Sequence, residues 1–122
     1  MYLYINTTPK DRTVVELREK GKLVSRKNIK TEFNQAEKLL KGIDQILQKK
    51  KIRGEKLEKT VVKSRGGSFT SLRIGVVTAN ALAYGWGIPV EPEVGSGKVL
   101  ENRGVRVVKP NYSSEPNITT KK

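Results

Sequence analysis

The chain has 122 residues, with 25 Lys and Arg against 12 Asp and Glu and a formal net charge of +13. That length holds one domain with a modest core. The absence of Cys and His removes disulfides, thiolate chemistry, Cys/His metal sites and imidazole bases together. No run of about 18 apolar residues reads as a membrane span, and MYLYINTT is not a basic segment followed by an apolar one. The expectation is a soluble, cytoplasmic protein.

Tyr2-Leu3-Tyr4-Ile5 is a short apolar run, read as a strand buried on both faces. Thr13 to Arg18 is β-rich, Glu19-Lys20-Gly21-Lys22 is a hairpin turn, and Leu23 to Ile29 returns as a third strand. A first helix is expected over residues 32–50, with Thr31 or Asn34 as N-cap and Asn34–Glu37 at capping-box spacing. Phe33, Ala36, Leu40, Ile43 and Leu47 draw its apolar stripe, which Leu39 and Ile46 widen. Gly42 sits mid-helix at roughly 1 kcal/mol relative to Ala, either as a notch for a neighbouring helix or as a tolerated accident.

A basic loop over 49–59 holds Lys49, Lys50, Lys51 and Arg53, diluted by Glu55 and Glu58. Its two readings are a contact to RNA phosphates and a solvated charged loop. Thr60 to Lys63 is the next strand. Gly66-Gly67-Ser68 then turns into a second helix of about four to five turns, with Ser68 or Thr70 as cap and Gly85, Gly87 and Pro89 as its end. This helix is apolar nearly all round, with Gly75, Ala79 and Ala83 on one face and Arg73, Thr78 and Asn80 as polar interruptions. The Gly-Gly-Ser turn reads as a plain tight turn rather than an anion site, since no GxxxxGK[ST] motif or acidic pair accompanies it. Val90 supplies a short last strand. After Pro92 a small hairpin is expected at about 98–109, and residues 110–122 are polar, with the composition of a disordered tail.

The resulting order is β-β-β-α-β-α-β, an α/β fold with a five-stranded mixed sheet. Gly67-Ser68-Phe69-Thr70, Leu72-Arg73-Ile74-Gly75-Val76, Thr78-Ala79, Leu82-Ala83 and Gly87-Ile88-Pro89 resemble GSFTGLRIG…TAKGLA…GIP of the TsaB (YeaZ-like) family. Tyr4-Ile5-Asn6-Thr7-Thr8 resembles that family's opening AIDTS, and Ala36 to Leu40 with Ile43 its SERLL…I helix start. The resemblance covers about residues 1–90. It implies the first lobe of the actin-like, sugar-kinase-like (ribonuclease H-like) fold as one unit, residues 1–92, followed by a C-terminal extension, 93–122.

The chain departs from the family at Asn6 in place of Asp, at Lys63-Ser64-Arg65-Gly66 in place of GRGP, and at Ser71 in place of Gly. The family's second lobe has no counterpart in it. Asn6 removes the carboxylate that organises a metal-bound nucleotide in active relatives. The resemblance therefore implies a noncatalytic partner subunit in tRNA N6-threonylcarbamoyladenosine synthesis, with no cofactor and no metal. It would dock on a TsaD-like catalytic subunit, or on a second copy of itself, through Leu39, Leu40, Ile43, Leu47, Leu72, Arg73, Gly75, Val76, Ala79 and Ala83. The Gly75-Ala79-Ala83 side is expected to stay exposed in the monomer, so that Ala79→Trp or Ala83→Arg would leave the fold intact. The alternative is a small basic tRNA- or nucleic-acid-binding protein, suggested by the charge, with Lys49, Lys50, Lys51 and Arg53 as RNA contacts. An ATPase or peptidase is the weakest reading, because the carboxylates Asp11, Glu16, Glu19, Glu32, Glu37 and Asp44 show no motif-like pairing.

Overall fold

The computed structural model describes residues 1–30, 33–93, 98–102 and 105–110, the side chains of 98–102, 105 and 106 excepted. Tyr2–Asn6 (β1) is the central strand of a five-stranded sheet. It pairs antiparallel with Arg12–Glu19 (β2) and parallel with Thr60–Val62 (β4). Lys22–Lys30 (β3) and Val90–Pro92 (β5) are the edges. The β2–β3 hairpin turns on Lys20 and Gly21, both at positive φ (54° and 79°), which suits a two-residue connection between twisted strands. Gln35–Lys49 (α1) joins β3 to β4, and Phe69–Trp86 (α2) joins β4 to β5. Lys98–Asn102 (β6) and Val105–Lys109 (β7) pair as a separate two-stranded sheet. The expected tail from Asn111 onward, Thr31 and Glu32 at the start of the first helix, and the turn at Arg103-Gly104 lie outside the described residues.

The core follows from strand alternation. Leu3 and Ile5 on β1, Val15 and Leu17 on β2 and Val62 on β4 cluster with Leu39, Ile43, Ile46 and Leu47 of α1 and with Leu72, Val76, Ala79 and Ala83 of α2. Both helices are thus packed into one core with the sheet. Burying each large side chain here contributes on the order of 1.5–3 kcal/mol.

Three expectations about α1 are corrected. Its buried side is Leu39, Gly42, Ile43, Ile46 and Leu47, whereas Phe33 is 84% exposed. Phe33 and Asn34 both adopt positive φ (47° and 52°) ahead of the first helical turn, so Phe33 is off the helical spacing that put it on the stripe. The same left-handed conformation leaves Asn34 without a side-chain capping bond, because an N-cap side chain reaches the N2 or N3 amide from an extended backbone. Gly42 faces β3 rather than a helix: a methyl group there would collide with Ile29.

α2 begins and ends as its residues demand. Ser68 caps it by accepting from the Ser71 amide at 3.1 Å. Gly87, at φ 71°, closes it with Gly87 N–H to Tyr84 C=O (3.2 Å) and Ile88 N–H to Ala83 C=O (3.0 Å), the paired bonds of a Schellman motif. The expectation that Gly75, Ala79 and Ala83 stay exposed is overturned, since all three are buried. A Cβ on Gly75 would lie 2.5 Å from Thr7 Oγ1 and 2.8 Å from its methyl carbon. The small residues bring the helix close to β1. Ala79→Trp and Ala83→Arg are therefore insertions into the core and destabilise the fold.

The opposite face of the sheet is polar. Glu16, only 2% exposed, accepts from Arg18 Nε at 2.6 Å and Arg26 Nε at 2.7 Å. The Arg18 guanidinium lies 5.0 Å above the Tyr4 ring, and Lys59 Nζ 5.1 Å from the Tyr2 ring. Lys59 also pairs with Glu91 at 3.1 Å, and Tyr4 donates its hydroxyl to Glu93 at 3.0 Å.

Burial, and then the charge and hydrogen bond of Glu93, hold the Tyr4 phenol above the ordinary value near 10. The protonated phenol thus contributes stability that is complete below about pH 10 and lost as pH rises beyond it. Denaturant midpoints taken from pH 8 to pH 11 should fall more steeply above pH 10 for the natural chain than for Tyr4→Phe. Thr60 gives a second expectation: its buried hydroxyl has no hydrogen-bond partner among the described residues. Thr60→Val keeps the shape and removes an unsatisfied group, so urea unfolding should show a gain of about 1 kcal/mol.

Candidate docking surface

The turn that launches α2 is tied to the end of β1. Asn6 Oδ1 accepts from the Thr8 amide at 2.9 Å and the Thr8 hydroxyl at 2.7 Å, which fixes the chain as it leaves the strand. Thr7 donates its hydroxyl to the Ser71 carbonyl at 2.7 Å. Gly67, at φ 73°, is so close to Thr8 that a Cβ would lie 2.7 Å from its Cα. Ser71 in turn donates to Gln35 Oε1 at 3.0 Å, and Gln35 Nε2 donates to Thr13 Oγ1, also at 3.0 Å. The start of α1 is thereby fastened to the start of α2.

These residues do not suit a metal-bound nucleotide. Asn6 offers no carboxylate and its carbonyl oxygen is already occupied by Thr8. No group of three or more acidic side chains among the described residues is placed to hold a metal.

With sheet and helices in place, the residues expected at a partner contact divide. Leu39, Ile43, Leu47, Leu72, Gly75, Val76, Ala79 and Ala83 lie in the core, while Leu40 and Arg73 are exposed. Arg73 lies on an outward stripe of α2 with Thr70, Val77, Ala81 and Tyr84, at the three- and four-residue steps of one helix face. Val77 is 55% and Tyr84 73% exposed, and Leu40 on the neighbouring helix 49%. Val77 and Tyr84 were missed because an all-round apolar helix gives no periodic signal for which side meets solvent. The available signal was indirect: once the small residues are assigned to the sheet, the opposite side must hold these two.

Lys49, Lys50, Lys51 and Arg53 are all exposed, and Arg53 pairs with Glu55 at 3.0 Å. The loop that follows is anchored rather than free. Gly54–Lys56 forms a single 3-10 turn in which Gly54 lies against the Trp86 ring with no room for a side chain, and Leu57 is buried. No helix among the described residues is long and apolar enough to cross a membrane.

Comparison with known proteins agrees with this geometry. The family described as "TsaD: tRNA N6-adenosine threonylcarbamoyltransferase" matches residues 30–94, more than half of the chain. A search of curated protein sequences gives no match. Among solved structures the chain is similar to YeaZ from Pseudomonas aeruginosa, at 16% identity and a TM-score of 0.63, over 90% of this chain and 64% of that one. It is also similar to an uncharacterized protein with similarity to peptidase YeaZ from Pseudomonas aeruginosa, at 15% identity and a TM-score of 0.64, over 90% and 63%. The chain thus spans less than two thirds of the length of either structure, and the likeness is one of fold. The chain belongs to the TsaD family, as a divergent member with the YeaZ-like (TsaB-like) fold.

Proposed function

We propose that the chain is a noncatalytic partner subunit in the synthesis of N6-threonylcarbamoyladenosine at tRNA position 37. It docks through its two helices on two helices of a TsaD-like catalytic subunit and holds that subunit in its active arrangement. The observation that carries this reading is the apolar ridge on the helix layer. Leu40, Val77 and Tyr84 are each about half exposed or more, while most other large apolar side chains of the two helices are buried. A shared apolar ridge on neighbouring helices is the chemistry of a partner surface, and Arg73 beside it supplies a charge for specificity. The lack of a nucleophile–base pair and the local use of Asn6 support a role without catalysis. In this reading residues 1–92 are the docking lobe and 93–122 are an extension of it.

Co-expression with the TsaD-like subunit of the same host tests the proposal. The natural chain should co-elute with it, and Leu40→Glu/Val77→Glu should lose at least tenfold in affinity with an unchanged circular dichroism spectrum. Undiminished co-elution of that variant would place the contact elsewhere. Sedimentation of the isolated chain separates a heterodimer from self-association through the same ridge.

A further inference from the structure

The fold sorts the positive charge unevenly. On the outer face of the sheet the cations meet carboxylates: Arg18 and Arg26 on Glu16, Lys59 on Glu91, and Lys63 on Glu93 at 3.5 Å. The flank formed by β3 and α1 has no such balance. Besides the Glu16-paired Arg26, β3 carries Lys22, Lys27 and Lys30 and no carboxylate, and it is an edge of the sheet. At about 3.3 Å per residue its cations extend over roughly 26 Å.

Between this strand and the C-terminal half of α1 runs a groove of about 230 Å³, lined by Ser25, Arg26, Lys27, Gln45, Ile46 and Lys49. Its wall holds Lys27, Lys49 and the Glu16-paired Arg26, with a hydroxyl and a side-chain amide and no acidic residue. Next to it, Gly42 lets Ile29 and the stem of Lys27 lie directly on the helix, the Lys27 Cδ 3.7 Å from where a Cβ would be. The acidic residues of α1 are Glu37 and Asp44, and Asp44 accepts from Gln48 at 3.0 Å.

We infer that the groove between β3 and α1, with the lysines of the β3 edge, binds the phosphate backbone of RNA. Lysine and arginine ammonium and guanidinium groups, with hydroxyl and amide donors between them, are the side chains that contact phosphate oxygens. Lys22, Lys27 and Lys30, spread over both faces of an edge strand with Lys49 across the groove, suit a long polyanion that can bend over the edge better than a compact anionic ligand. The like charges along the edge also oppose pairing of two β3 strands from separate copies, which removes a second copy of this chain as the occupant. The site is distinct from the helix ridge, since it uses the β3 side of α1, and it does not depend on a protein partner. It moves the expected RNA contact from the Lys49–Arg53 loop to a groove in which Lys49 is one member and Lys27 another.

The test is fluorescence anisotropy of the full chain with a labelled single-stranded 12-mer RNA, from 50 to 200 mM salt. Two triple variants remove equal charge: Lys22→Gln/Lys27→Gln/Lys49→Gln in the groove and Lys59→Gln/Lys63→Gln/Arg65→Gln away from it. The groove variant should bind at least tenfold more weakly, with a salt slope flattened by about 2. The control should bind within about threefold of the natural chain. The double variant Lys22→Gln/Lys49→Gln leaves the Lys27 stem on α1 and should show the same trend if the triple variant unfolds. Equal loss in both triple variants, or loss in neither, overturns the inference. Tighter binding of polyglutamate than of RNA also overturns it, and would make the occupant an acidic protein segment. None of these outcomes bears on co-elution with the TsaD-like subunit, so the two proposals fail separately.

Discussion

The close approach of α2 to the end of β1 is the constraint on which the rest of the structure depends. Three contacts impose it: Gly75 against Thr7, the Thr7 hydroxyl on the Ser71 carbonyl, and Gly67 against the Thr8 backbone. Two of these need glycine, one for space inside the helix and one for positive φ as well. With α2 held so near the sheet, its small side chains are consumed in the core. The larger ones at Leu72 and Val76 fill the space beside them. The orientation of α2 then decides which residues point outward, and through Ser71 and Gln35 it also fixes where α1 begins.

The sheet was legible from local pattern. Turn residues at Lys20-Gly21, the apolar run of β1 and the Gly-Ser turn before α2 are short-range signals, and each element formed within a few residues of its expected bounds. The helix faces were legible only in part. α1 has two overlapping apolar stripes, and the choice of Leu39–Ile46 over Phe33–Leu40 depends on a backbone turn at residues 33 and 34 that propensity does not announce. The Glu16 site was not legible at all from motif spacing. Glu16 meets Arg18 two residues along its own strand and Arg26 across the hairpin, a pairing that exists only once the β2–β3 register is known.

That register also explains how one chain carries both a balanced and an unbalanced surface. β2 and β3 alternate, so Glu16, Arg18 and Arg26 gather on the face away from the helices, while Ser25, Lys27 and Ile29 turn towards α1. The buried carboxylate of Glu16 requires its arginines, because a lone charge so far from water costs several kcal/mol. Those two arginines are thereby committed to the sheet. The lysines of β3 have no comparable demand on them among the lining residues of the groove, and they supply three of the nine excess positive charges of residues 1–63.

Asn80 completes the account of α2, whose apolar surface exceeds what a five-stranded sheet covers. Its side-chain amide donates to the Val108 carbonyl at 2.9 Å and accepts from the Val108 amide at 2.7 Å, so one side chain serves β7 as a strand neighbour would. Val108 itself is buried in the main core. The hairpin is therefore bound to the helix by backbone polarity as well as by apolar contact, and the Asn80 amide would be an expensive group to bury without it. α2 is shared among the sheet, α1 and β7, each taking one side. The stripe from Thr70 through Arg73, Val77 and Ala81 to Tyr84 remains uncovered, together with Phe69 and Gly85 at the helix ends, and Val77 and Tyr84 are its large apolar residues.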